Sequence, residues 1–136
     1  MKRGTLILLA CICSSAVAAD ATVPTGAFGL EFTDNPNAVA YTVTGSGSSY
    51  KVTSAGDQTD FDAVVMDSAA KQKIWTKLGI AGAAYDKSAC IVFDHSVLCN
   101  VPADQHASDA KLQQLKTDYF FYDPLSEGIV SAFPIK

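Results

Sequence analysis

Cys90-Ile91-Val92-Phe93-Asp94-His95-Ser96-Val97-Leu98-Cys99 organises the chain around it. Two apolar runs flank a polar centre, and folding about Asp94-His95 sets 90 opposite 99, 91 opposite 98, 92 opposite 97 and 93 opposite 96. With a two-residue loop the 93 and 96 pair is hydrogen-bonded. The pairs then alternate, so Cys90 and Cys99 fall on a non-hydrogen-bonded pair, where side chains approach most closely. Period two places Cys90, Val92, Val97 and Cys99 on one face and Ile91, Phe93, Ser96 and Leu98 on the other. Both faces are mostly apolar, which predicts an interior strand pair covered on both sides. Asp94-His95 is not the Asn-Gly that a primed turn prefers, so a four-residue loop of the same parity stays open.

A disulfide between those two positions needs an oxidising compartment, and the N-terminus supplies the argument for one. Lys2 and Arg3 precede Leu6 to Cys13, an apolar stretch too short to span a bilayer, and small residues follow from Ser14 to Ala19. Residues 1–19 read as a signal peptide cleaved after Ala18 or Ala19, leaving one domain over 20–136. A rival reading takes Leu8-Leu9-Ala10-Cys11 as a lipoprotein site acylated at Cys11. The destination is periplasmic or secreted. Cys11 and Cys13 leave with the leader, so Cys90 and Cys99 are the only thiols remaining of the four in the chain. Closing the intervening loop contributes about 2.7 kcal/mol as an upper expectation. The eight-residue gap is far from a C-x-x-C redox motif, and two cysteines cannot close a zinc site.

The full chain has 136 residues, 49% hydrophobic and 18% charged, which suits one domain with a real core. After cleavage eight lysines and no arginine face fourteen acids, a formal charge of −6. An acidic surface without guanidinium forks argues against nucleic acid and would favour a basic protein partner. No second apolar stretch follows Ala19, so no membrane span is expected in the mature chain.

Working outward from the hairpin, Phe28, Leu30 and Phe32 alternate in a short strand near 27–32. Val39, Tyr41 and Val43 alternate in a second, and after Gly45-Ser46-Gly47-Ser48 the stretch Ser49–Ser54 continues as a third. Phe61–Met66 is a fourth, completing an N-terminal meander. A helix follows: Asp67 or Ser68 caps it, Ala70, Ile74 and Leu78 repeat on one face, and Gly79 ends it. If Gly79 is left-handed, Ile80 folds back over Trp75, a packing anchor. A second helix begins at Asp104 or Ser108 with Leu112, Leu115 and Tyr119 inward. Tyr119–Tyr122 reads as a strand, and Ile129–Phe133 as a last one before Pro134. The expected fold is α+β: a mostly antiparallel sheet, built of meander, disulfide hairpin and C-terminal hairpin, packed with two helices.

No catalytic constellation emerges. Asp94, His95 and Ser96 are adjacent on a tight turn, which projects their side chains apart. His106 with Asp104, or His95 with Asp94, offers too few ligands for a metal site, and Asp57, Asp60 and Asp62 depart from a calcium loop. Glu31 and the aspartates show no pairing geometry for glycoside hydrolysis. The Gly-Ser turn lacks the ending of a phosphate loop. No cofactor and no metal are expected. Tyr119, Phe120, Phe121 and Tyr122 are the candidate binding residues if one side of that strand is exposed; burial of both sides is the competing reading.

The functional expectation is a small exported binding protein that recognises a protein partner, of the inhibitor or immunity type. Two alternatives stand beside it: a small exported hydrolase using His95 or His106 as acid/base, and a structural accessory domain of an envelope assembly.

Overall fold

The computed structural model describes residues 21–125 and 127–136. The expected leader with its cleavage site, and the rival acylation at Cys11, lie outside the described residues.

Eight strands run in chain order and close on themselves: β1 (Gly26–Leu30), β2 (Tyr41–Ser46), β3 (Ser49–Ser54), β4 (Asp60–Val65), β5 (Ala89–Phe93), β6 (Ser96–Asn100), β7 (Tyr119–Tyr122) and β8 (Val130–Ile135). Every neighbouring pair is antiparallel, and β8 returns to pair with β1. This corrects the expected open α+β sheet packed on two helices. The local pieces of that expectation exist, but the two ends of the chain meet through Ala27↔Ile135, Phe28↔Pro134, Gly29↔Phe133 and Leu30↔Ala132. Read from sequence, the last strand ends before Pro134. That proline lies inside β8 instead, where its missing N–H does not prevent closure.

Alternation along the strands sorts side chains into two clusters, which is the physical basis of the fold. Phe28, Leu30, Val43, Val52, Ala63, Ile91, Phe93, Leu98, Phe121 and Ala132 point inward and form one buried cluster. Rings fill the lumen: Phe28 meets Tyr119 edge-on at 5.0 Å, and Tyr41 lies 5.3 Å from Phe93 and 5.5 Å from Phe121. An eight-stranded barrel is about wide enough for side chains to fill it. Outside β5–β7, a second cluster joins Cys90, Val97, Cys99 and Phe120 to Trp75, Ile80, Ala84 and Leu112.

The hairpin register is the one read from sequence, with Cys90↔Cys99, Ile91↔Leu98, Val92↔Val97 and Phe93↔Ser96 paired. Cys90 and Cys99 are joined, and both are fully buried beneath the helical layer. The turn has two residues. Asp94 and His95 both take left-handed φ, 47° and 68°, so the primed geometry is met without glycine.

Helix α1 (Ser68–Leu78) follows the expected capping. Asp67 Oδ1 accepts from Ala70 N at 2.8 Å, and Gly79 is left-handed at φ 70°. Gly79 N donates to Thr76 O and Ile80 N to Trp75 O, the paired bonds of a Schellman ending. The expected second helix is largely absent. A 3-10 segment spans Ala103–Ser108, Asp109 then takes φ −155°, and α2 (Ala110–Gln113) is a single turn that buries Leu112. Asp109 interrupts the run because its carboxylate does other work, capping Lys111 N at 2.7 Å and accepting from Ala81 N at 2.8 Å. Those hydrogen bonds, Ala81's first, hold its carboxyl below the usual range.

At the seam, Glu31 Oε1 accepts from Ser131 N at 3.0 Å while its other oxygen pairs with Lys116. Thr117 Oγ1 donates to Ala132 O at 2.5 Å. Asn100 Nδ2 donates to Thr22 O at 3.0 Å, fixing the segment that leads into β1.

No helix among the described residues is long and apolar enough to cross a membrane. The barrel wall itself presents Thr44, Lys51 and Asp62 outward on β2–β4, all exposed, with apolar residues inside. A lipid-facing barrel has the opposite distribution.

Candidate functional site

The antiparallel order gathers four connections at one end of the barrel: 31–40, 55–59, Asp94-His95 and 123–129. Asp34, Asp57, Asp94, Asp123 and Glu127 lie on these loops, and no lysine or arginine does. Glu31 is set apart by its pairing with Lys116, whose ammonium, followed by the Ser131 N–H, draws its carboxyl below the ordinary range. The clustering is felt at Tyr41. Burial raises its hydroxyl first, and the charges of Asp123, Asp94 and Asp57 raise it further. Among these acids stand three exposed apolar side chains: Phe32 at 61% exposure, Val39 at 37% and Leu125 at 96%. Phe32 is held in place by a near-parallel stack on buried Phe121, with centroids 6.5 Å apart.

The loop bearing Phe32 is fitted closely to the wall. A Cβ at Gly29 would lie 1.9 Å from Pro36 O, so only glycine lets residues 36–38 pack against β1. Ala40 N donates to Phe28 O at 2.7 Å, closing the same loop. A depression of about 470 Å³ opens there between Phe32, Val39, Tyr41 and Asp34.

A larger groove, about 770 Å³, lies outside the wall on the other side of the Asp94-His95 turn. Its floor is Met66, Val92, Val97 and Tyr122. Helix α1 forms one side through Ile74, Lys73 and Lys77, and the two turns form the other through Asp94, His95, Asp123 and Leu125. Lys77 Nζ stands 5.8 Å over the Tyr122 ring.

The residues singled out from sequence are distributed as follows. The run Tyr119–Tyr122 divides between both clusters: Tyr119 and Phe121 point into the barrel, while Phe120 and Tyr122 face the helical layer. Phe120 and Phe121 are buried, Tyr122 is 8% exposed and contributes to the groove floor, and Tyr119 is half-buried. His95 is exposed on its turn. Ser96 is buried and donates to Asp123 Oδ2 at 2.8 Å, so its hydroxyl is directed to Asp123. His106 Nε2 donates to Val101 O at 2.9 Å. The two histidines lie beyond opposite ends of β6, about 20 Å apart along six extended residues, and cannot share one site. Asp60 accepts from Thr53 Oγ1 at 2.6 Å across the β3–β4 pair, and Asp57 accepts from Thr59 N at 3.1 Å within the turn. Among the described residues no three metal-ligating side chains gather. Trp75 is buried against Phe120 and Tyr85, and its Nε1 has no hydrogen-bond partner among the described residues.

Sequence reasoning missed Phe32, Val39 and Leu125 as surface features and the lysine wall opposite the turns. Phe32 continues the alternation of β1 and so reads as core. The absence of lysine from four separate loops is visible in the sequence, but only the topology shows that those loops share one end. No family model, curated protein or solved structure matches the chain.

Proposed function

We propose that this is an exported binding protein whose acidic loop end takes up a basic protein partner. The observation that carries the reading is the company of charges and anchors at that end: five carboxylates without a lysine, around protruding Phe32, Val39 and Leu125. Apolar side chains ringed by charge are the usual anatomy of a contact surface, and a one-signed field accelerates encounter with the opposite charge. A rigid, disulfide-held scaffold suits the role, because little order remains to be imposed on binding.

The test is affinity capture from native extracts with the oxidised domain as bait. The expected result is a saturable basic protein whose retention falls as salt rises. Phe32→Ala should weaken capture about tenfold, and Asp57→Lys combined with Asp94→Lys should weaken it at least as much. Capture indifferent to all three substitutions would overturn the assignment of this end. Turnover of a substrate that disappears with His95→Ala or His106→Ala would replace the binding reading with a hydrolytic one.

A further inference from the structure

The groove outside the barrel shares Asp94, Asp123 and Leu125 with the acidic loop end but adds an apolar floor and two lysines, and we propose that it binds a single-chain amphiphile with a zwitterionic headgroup. Its floor is apolar along Met66, Val92 and Val97, and exposed Leu125 stands at its margin. Val64, paired to Val92 and 63% exposed, extends the apolar strip beyond the groove onto β4. The space, about 770 Å³, falls within the range of small-ligand sites.

The headgroup follows from the two sides. Lys73 and Lys77 line the helix side and make no ion pair among the described residues. Asp94 and Asp123 line the opposite side, the latter held by the Ser96 hydroxyl and by Leu125 N at 2.8 Å. A pure anion would meet the lysines but also the aspartates, and a pure cation the reverse. A head carrying both signs, such as a phosphate joined to an ammonium, satisfies both sides while its chain covers the floor. Tyr122 contributes its ring to the floor and is already under Lys77, so an anionic oxygen drawing that ammonium keeps the chain against the ring. The inference does not rest on the protein-partner reading: the sites share Asp94, Asp123 and Leu125, but Lys73 and Lys77 belong to the groove alone and Phe32 to the loop end alone, so their substitutions separate the two.

Trp75, the only tryptophan, provides the readout, since it packs in one cluster with Val97 and Tyr122. A lysophosphocholine carrying a spin label on its chain should quench its emission saturably, below the micelle-forming concentration. Dodecylphosphocholine should displace the label more effectively than either dodecanoate or dodecyltrimethylammonium. Lys73→Gln with Lys77→Gln, both at exposed positions that leave the fold intact, should weaken dodecylphosphocholine about fivefold while sparing dodecyltrimethylammonium. Shortening the chain from dodecyl to decyl should cost about another tenfold. Quenching that never saturates, equal displacement by the three heads, or indifference to the lysine substitutions would overturn the proposal.

Discussion

The β5–β6 hairpin and the β1–β8 seam are both antiparallel pairs in the same wall, yet they are held in different ways. The hairpin joins residues that are neighbours in sequence, through a two-residue turn and a buried disulfide. At the seam the partners are about a hundred residues apart, as with Ser131 N and Glu31 Oε1, and are held by ladder bonds, side-chain hydrogen bonds, the Glu31–Lys116 ion pair and packed side chains, with no covalent link among the described residues. A local contact needs little loop closure before it forms, whereas a distant one must repay the ordering of everything between. The seam therefore depends on packing where the hairpin depends on covalent linkage.

The sharpest way to break this contrast is Phe28→Ala. Phe28 is 1% exposed, sits on the seam and packs against Tyr119, so its loss should cost about 3–5 kcal/mol in denaturant unfolding. A cost below about 1.5 kcal/mol would mean that the seam contributes little to stability. Replacing Cys90 and Cys99 together by alanine comes next. Stability should fall by up to about 2.7 kcal/mol with the fold retained, read by the same unfolding curves. A larger loss than that from Phe28→Ala would reverse the ranking of the two regions.

A gain is expected at the hairpin turn. His95→Gly relieves a side chain held at φ 68° and should raise stability by about 1 kcal/mol. If thermal unfolding instead shows a loss, the His95 side chain makes a stabilising contact on its turn. The smallest effect belongs to Glu31→Gln at the seam, about 0.5 kcal/mol at pH 7. The folded carboxyl is held below its ordinary value by Lys116 and then by Ser131 N, so the contribution of the charge is complete above the unfolded pKa. It is lost as pH falls through the lower, folded one. Wild type and variant should converge in acid; a difference that persists there would be steric in origin.

The hairpin was legible because its register, its face assignment and its cysteine pair all follow from ten consecutive residues. Helix α1 was legible for the same reason, with Asp67, Gly79 and Ile80 each acting within a turn of their neighbours. Closure was not. Alternation in β1 and β8 says which side chains share a face, but an open and a closed sheet need the same alternation, and Pro134 disguised the length of β8. The spacing of Leu112, Leu115 and Tyr119 suggested a long second helix. Asp109, fastened to Ala81 across the helical layer, stops it from extending back through Ser108. Of the candidate site, Tyr122 was named from sequence and lines the groove, but the tetrad around it is mostly core. Exposure of an aromatic on a strand cannot be read until both layers covering that strand are known.

The bond from Asn100 to the Thr22 carbonyl has a practical side. It secures the chain at the barrel's far pole, where β8 also finishes, so the segment entering β1 and the final residue depart together and away from the acidic loops. An attachment made next to Thr22 or at Lys136 would thus hold the barrel like a lamp on its stand, with the acidic loops turned outward.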